Sequence, residues 1–255
     1  LQNYALYKEN EEKGDYRTLL WKSTDAADCS FAFNLNHEDP VLREIFQDVR
    51  FRRAMSLAIN RDEVNEIVYR GTGVPCQGTV LPTVSYYKEE WGKAYAQYDP
   101  ERANALLDEM GLTKRDAAGF RLRPDGETLT MTIEYYPIYA TTTANCELTA
   151  EYWSAVGVKT GLKSVERSFY QTRSDAGALD IGTWCQGRNT ENVVYFARGY
   201  LFNPADGGWE WGYCRDWQDW FTSGGTEGEE PPEDVKELHR WFEDWFVAAT
   251  PEEYT

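Results

Sequence analysis

The chain has 255 residues, of which 42% are hydrophobic and 15% aromatic, and its formal net charge is −17 at pH 7. This hydrophobic content supplies a sizeable core and excludes a disordered chain. The negative charge argues against nucleic acids and anionic membranes, which attract basic faces. No run of 18 apolar residues and no signal peptide occurs, so we expect either a cytosolic protein or a mature fragment of a longer one.

The first 47 residues predict short elements separated by polar turns. A short helix and then a strand through Tyr16, Thr18 and Leu20 are expected over residues 1–20. The apolar run 30–35, bounded by turn residues, predicts a buried strand, and 41–46 predict a short helix.

Residues 48–71 predict two consecutive helices. Asp48 can cap the first helix, and Asn60 with Glu63 forms a capping-box pattern at the start of the second. Gly71 is placed to end it. The apolar positions predicted to face the core are Ala54, Leu57, Ala58, Val64, Ile67 and Val68.

The middle of the chain predicts a sheet built through crossovers. Residues 71–99 are punctuated by glycines and prolines and predict a long loop, which is usually functional or wrapped over the surface. A helix is expected from Asp99 to Gly111, then a hairpin turn over 121–128. From 129 to 184 the pattern is strand, helix, strand, helix, strand, which predicts right-handed crossovers and a mainly parallel sheet.

The tail is rich in tryptophan. Trp217 and Trp220 have the i, i+3 spacing of a helix face and predict core positions. Trp209 and Trp211 lie among glycines and predict a loop that can reach a ligand cleft. A final helix is expected after Pro232.

Catalytic motifs are scarce. The two histidines, His37 and His239, are far apart, and no HExxH, GxSxG, GxGxxG or C-x-x-C pattern occurs. The glycines at 71–73 lack the Lys-Ser/Thr of a phosphate loop. We therefore predict no catalytic residues, no metal site and no cofactor, although a pair of carboxylates at glycosidase spacing remains open.

Several segments together resemble the family 5 extracellular solute-binding proteins, the ligand-capturing components of ABC importers for peptides, nickel complexes and some oligosaccharides. The segments are 33–36 (FNLN), 46–50 (FQDVR), 53–62 (RAMSLAINRD) and 99–112 (DPERANALLDEMGL). The resemblance implies an α/β, periplasmic-binding-protein-like (type II) lobe with a mainly parallel mixed sheet flanked by helices. Residues 1–255 would form the second, C-terminal lobe, truncated before the chain returns to the first lobe.

The resemblance also implies a compartment and partners. The protein is expected to be extracytoplasmic, either periplasmic or a cell-surface lipoprotein, with membrane contact only through an anchor outside these residues. Its partners would be a peptide or oligosaccharide ligand and the ABC permease subunits. Two other classes stay open: a secreted carbohydrate-active enzyme or carbohydrate-binding module, and a structural or interaction domain built on the same fold.

Ligand contacts are expected after the strand 179–184, because ligands of open α/β sheets bind at the carboxyl ends of strands. The predicted ligand-binding residues are Trp184, Gln186, Arg188, Asn189, Trp209 and Trp211. Family members that bind a free α-amine commonly carry an aspartate where this chain has Gly187, and Ile181 stands where a carboxylate-binding arginine can occur. These departures weaken the expectation of a standard peptide clamp, while a flat indole beside amide donors also suits sugars. Alternatively, Trp184 belongs to the core.

The five cysteines are Cys29, Cys76, Cys146, Cys185 and Cys214. The resemblance implies a disulfide between Cys29 and Cys185, and two buried free thiols are the alternative. The pairing of the other three cysteines stays open.

Overall fold

The computed structural model describes residues 3–187, 190 and 213–247. In chain order the elements are α1 (Tyr4–Glu9), α2 (Glu11–Gly14), β1 (Ala27–Phe33), α3 (Pro40–Gln47), α4 (Val49–Leu57), α5 (Arg61–Tyr69), α6 (Glu89–Lys93), α7 (Pro100–Glu109), β2 (Thr130–Tyr135), α8 (Thr142–Ala155), β3 (Lys159–Ser164), α9 (Arg167–Asp175), β4 (Ile181–Gln186), α10 (Arg215–Thr222) and α11 (Glu233–Val247).

The four strands form one mixed sheet in the order β1-β4-β2-β3. β2 runs parallel to both β3 and β4, whereas β1 runs antiparallel to β4. Alternating apolar residues of β2 and β4 point into the core, where Met131, Ile133 and Ile181 are fully buried. The predicted mainly parallel mixed sheet flanked by helices is therefore confirmed.

An aromatic cluster joins β1 to the helices that cover one face of the sheet. The ring of Phe33 lies 5.4 Å from Phe46 and 5.2 Å from Phe51, measured between centroids. Trp153 of α8 completes the cluster at 5.5 Å from Phe33. These edge and tilted contacts bury large apolar surfaces, which is the main stabilising contribution in such a core.

The two predicted helices of 48–71 are confirmed, together with their caps. The Asp48 carboxylate accepts a hydrogen bond from the backbone N–H of Arg50, and the Asn60 side chain accepts one from that of Glu63. The apolar stripe of α4 is buried as expected. The expected buried face of α5 is wrong, because α5 lies on the surface beside α8, none of its residues is buried, and Ile67 is exposed.

The N-terminal prediction is half correct. The short helix is present, but residues 16–23 form no strand. No strand of the described chain lies beside them to complete a ladder, and Leu19, Leu20 and Trp21 are exposed. β1 also begins earlier than predicted, at Ala27, because the pairing with β4 extends to Gln186.

Side-chain hydrogen bonds fix the start of β4 against the end of β1. Asn34 Nδ2 donates to the carbonyl oxygens of Gly177 and Leu179, at 2.8 and 2.9 Å. Asp180 accepts from His37 Nε2 at 3.0 Å and from the backbone N–H of Thr132 at 2.8 Å. These bonds lock the register of three strands, so the opposite, carboxyl end of β4 has a defined position.

Candidate functional site

The carboxyl end of β4 carries two of the predicted ligand residues, Trp184 and Gln186. Trp184 is half-buried, and its ring stacks on Tyr170 of α9 at 6.0 Å, with the Arg167 guanidinium also 6.0 Å from the ring centroid. Gln186 ends the strand, and its carbonyl oxygen accepts from the backbone N–H of Ala26 at 2.7 Å. Trp184 thus has a structural contact with α9 in addition to its partly exposed surface.

A cavity of about 1030 Å³ opens beside the edge of β1 that faces away from β4. Its walls come from the segment that leads into β1, from the loop 72–82 and from buried faces of α4 and α8, and Gln186 lines it as well. Trp184 does not line this cavity. Of the two described ligand-site predictions, Gln186 therefore faces the cavity and Trp184 lies outside it.

The loop 72–82 is held against the site by polar contacts. Gln77 donates from its backbone N–H to the Gly92 carbonyl at 2.7 Å and from its side chain to Ser56 Oγ at 3.0 Å. The side-chain amide of Gln186 packs directly on Gly78, where an added Cβ would collide with it. The length and glycine content of this loop were the sequence signals of a functional segment, and the structure places it on the cavity wall.

A polar cluster that no sequence pattern predicted includes two carboxylates of the cavity wall, Asp25 and Asp28. The Tyr139 hydroxyl donates to Asp25 Oδ2 at 2.8 Å, and Asp28 lies beside Thr141, with 3.4 Å between their side-chain oxygens. Burial raises the pKa of the Asp28 carboxyl, and the neighbouring Asp25 charge raises it further. Burial also raises the pKa of Tyr139, as do its hydrogen bonds to Asp25 and Cys185. No local pattern links these residues, because they are more than 100 positions apart in the chain.

The expected Cys29–Cys185 disulfide is not formed in this structure. The Cys29 side chain is a thiol whose hydrogen-bond partner is Cys146. That hydrogen bond and burial raise the pKa of Cys29 well above its usual value. The physical reason is that Cys29 packs against the core that contains Cys146 of α8. The β1–β4 register pairs Ser30 with Trp184, so Cys29 and Cys185 lie in the same part of the ladder. The disulfide therefore stays a prediction for the oxidised protein.

Four predicted ligand residues, Arg188, Asn189, Trp209 and Trp211, lie outside the described residues. Trp217 is buried, as expected for a core position, and Trp220 is half-buried against Phe221. In the part of the chain that the structure covers, no three His, Cys, Asp or Glu side chains come together as a metal site. None of the described helices has the length and apolar character that crossing a membrane requires.

Solved structures of binding proteins share the fold of this chain. A solved oligopeptide-binding protein OppA is 36% identical, with a TM-score of 0.84, over 99% of this chain and 41% of that one. The periplasmic binding protein MelB from Agrobacterium fabrum C58, solved with stachyose, is 16% identical with a TM-score of 0.75, over 99% of this chain and 38% of that one, which shows the fold alone. The chain therefore has the α/β fold of type II periplasmic binding proteins.

The sequence comparison identifies the family. The profile described as "Bacterial extracellular solute-binding proteins, family 5 Middle" matches residues 1–208. The dipeptide-binding protein of Escherichia coli (strain K12) is 31% identical over 137 residues, which are 54% of this chain and 24% of that protein. The chain belongs to family 5 of the bacterial extracellular solute-binding proteins. It spans less than half of the length of these relatives.

Proposed function

We propose that this chain is the second lobe of an extracytoplasmic solute-binding component of an ABC importer, which captures oligopeptides. The observation that carries the proposal is the 36% identity to the oligopeptide-binding protein OppA over 99% of the chain. The position of the cavity beside the carboxyl end of β4 supports it, because this end of the sheet is where α/β proteins bind ligands.

In this proposal the ligand is enclosed between this lobe and a first lobe outside residues 1–255. The ligand stabilises the closed arrangement through its higher affinity for that state, and the closed protein then delivers it to the permease. The protein itself is periplasmic or a cell-surface lipoprotein. Since one lobe carries only half of such a site, we expect weak or undetectable affinity for the isolated chain.

The test begins with the complete protein that contains this chain. Native mass spectrometry of the purified protein is expected to show a co-purified oligopeptide, and calorimetry with a peptide library should give micromolar or tighter binding. The isolated 255-residue chain serves as the comparison. Micromolar peptide binding by the isolated chain would contradict the two-lobe arrangement, and peptide binding by neither protein would contradict the peptide assignment.

An oligosaccharide is the second candidate ligand. The partly exposed indole of Trp184 favours it, because a flat apolar face suits the face of a sugar ring. Stachyose and mannohexaose, used in the same calorimetric assay, would distinguish the two ligand classes. A parallel screen for glycoside turnover tests the less favoured hypothesis of a carbohydrate-active enzyme, and we expect no turnover.

A further inference from the structure

The space beside Gly187 is filled by a carboxylate from a distant part of the chain. Gly187 directly follows β4 and is buried. A Cβ built on Gly187 would lie 3.0 Å from Asp25 Oδ1 and 3.7 Å from Asp25 Cγ. A Cβ at position 187 would be in tight contact with the carboxylate, and a larger side chain would need the space that the carboxylate fills. The glycine therefore leaves room for Asp25 at the end of β4.

Two contacts hold Asp25 in this place. Its Oδ2 accepts a hydrogen bond from the Tyr139 hydroxyl at 2.8 Å, which orients the carboxylate plane. The next residue, Ala26, donates its backbone N–H to the Gln186 carbonyl at 2.7 Å, which fixes the backbone of the segment to β4. The position of Asp25 relative to the ligand end of the sheet is thus set from both sides.

The charge of Asp25 is not compensated within the described chain. No Lys, Arg or His nitrogen of those residues lies within 4.0 Å of its carboxylate, and Oδ1 accepts no hydrogen bond from them. Asp25 also lines the 1030 Å³ cavity together with Asp28 and Gln186. A half-buried carboxylate on a cavity wall is stabilised by a cation that brings its own hydrogen-bond donors.

The chemistry of the site favours an ammonium group over a metal ion. No third His, Cys, Asp or Glu of the described chain completes a metal site here. A primary ammonium has three donors, so one can bind Asp25 Oδ1 while the others reach carbonyl oxygens at the strand end. We propose that Asp25 determines specificity by binding a primary ammonium of the ligand, the N-terminus of an oligopeptide, at the end of β4. This inference rests on the proposed function.

The experiment compares matched ligands in the complete protein. Tetra-alanine and N-acetyl-tetra-alanine differ only in the ammonium, and calorimetry measures both against the wild-type protein and Asp25→Asn. The variant keeps the shape of the side chain and an acceptor for Tyr139 but loses the charge. Because hydrogen bonds to charged groups are the stronger ones, we expect Asp25→Asn to weaken the free-amine peptide roughly ten- to a hundred-fold and the acetylated peptide less than about twofold.

Two further variants complete the design. Gly187→Val puts a branched side chain into the space that the Asp25 carboxylate fills, so it should weaken the free-amine peptide selectively. Asp15→Asn removes the same charge from an exposed residue and should change neither affinity. An equal loss for both peptides in Asp25→Asn, or a wild-type protein that binds both equally, would overturn the inference while leaving peptide capture intact.

A second ligand pair separates this inference from the proposed function. If neither peptide binds the wild-type protein, peptide capture fails, and a glucosamine tetramer is compared with its N-acetylated form. Selective binding of the amine form that Asp25→Asn abolishes would support the ammonium site without peptides. Binding of the acetylated form alone, or of none of the four ligands, would overturn it.

Discussion

Trp153 packs on β1 and donates a hydrogen bond to the last turn of α4, and both elements line the cavity. Its replacement therefore tests how much these contacts contribute to stability. The side chain is 1% exposed, and its ring lies 5.3 Å from that of Phe31 and 5.5 Å from that of Phe33. Its indole Nε1 donates to the Met55 carbonyl at 2.8 Å. That carbonyl belongs to the last turn of α4, where backbone acceptors have no partner within the helix.

The hydrogen bond and the ring packing of Trp153 contribute separately to stability, and two variants measure them. Trp153→Phe keeps an aromatic ring but leaves the Met55 carbonyl buried without the indole donor, which should lower the free energy of unfolding by about 2 kcal/mol. Trp153→Ala also removes the ring contacts with β1, and a loss of about 4–5 kcal/mol is expected for so large a buried side chain. Urea denaturation of the chain, followed by far-UV circular dichroism, gives both values by linear extrapolation.

Trp21 provides the matched control because its side chain is 90% exposed. Trp21→Phe and Trp21→Ala should each stay within about 0.5 kcal/mol of the wild-type chain. A Trp153→Phe variant as stable as the wild-type chain would refute the proposed contribution of the indole hydrogen bond. Equal losses for Trp153→Phe and Trp153→Ala would refute the contribution of ring packing.

Three further predictions concern buried polar groups and thiols. Glu134→Gln breaks a buried carboxylate–guanidinium pair and should lower the free energy of unfolding by about 3 kcal/mol in the same urea assay. Glu89→Gln, which breaks an exposed pair, should leave the urea midpoint unchanged. Burial raises the pKa of Asp28, so the native state binds the carboxyl proton more tightly than the unfolded state does. The resulting contribution to stability is lost as the pH rises above about 3.8, the ordinary pKa of the carboxyl group. Asp28→Asn should therefore stabilise the chain at pH 7 and have no effect at pH 3. The gain at pH 7 should be less than about 1 kcal/mol, since solvent screens a half-buried charge. An equal effect at both pH values would contradict this account. Mass spectrometry of the unreduced protein should detect a peptide containing Cys29 linked to Cys185, and two unlinked thiols after oxidation would remove the predicted disulfide.

Local sequence signals predicted most of the secondary structure. The caps at Asp48, Asn60 and Asp99 act through hydrogen bonds to backbone N–H groups two or three residues away, so the sequence alone places the helix starts. The alternation at Leu129, Met131 and Ile133 likewise reports the buried face of a strand. Two predictions failed: the strand over 16–20 and the buried face of α5. Both depend on which elements lie next to the segment in the folded chain, and local sequence does not specify those neighbours.

The residues around the cavity show where sequence reasoning ends. Gln186 was predicted from its place after a strand, because the end of a parallel strand is a general ligand position. The contribution of Asp25 could not be predicted, since the residue precedes β1 and meets Gly187 only through the antiparallel pairing of β1 with β4. Tyr139 reaches the same carboxylate from the segment before α8.

The sequence by itself determined the family, the helix caps and the alternating strands, because each depends on residues close together in the chain. Tertiary structure alone decided that Cys29 contacts Cys146, that Trp184 stacks on Tyr170, and that Asp25 fills the space beside Gly187. Each of these contacts joins separate segments through the packing of the sheet and its helices, and a linear pattern does not encode such distances.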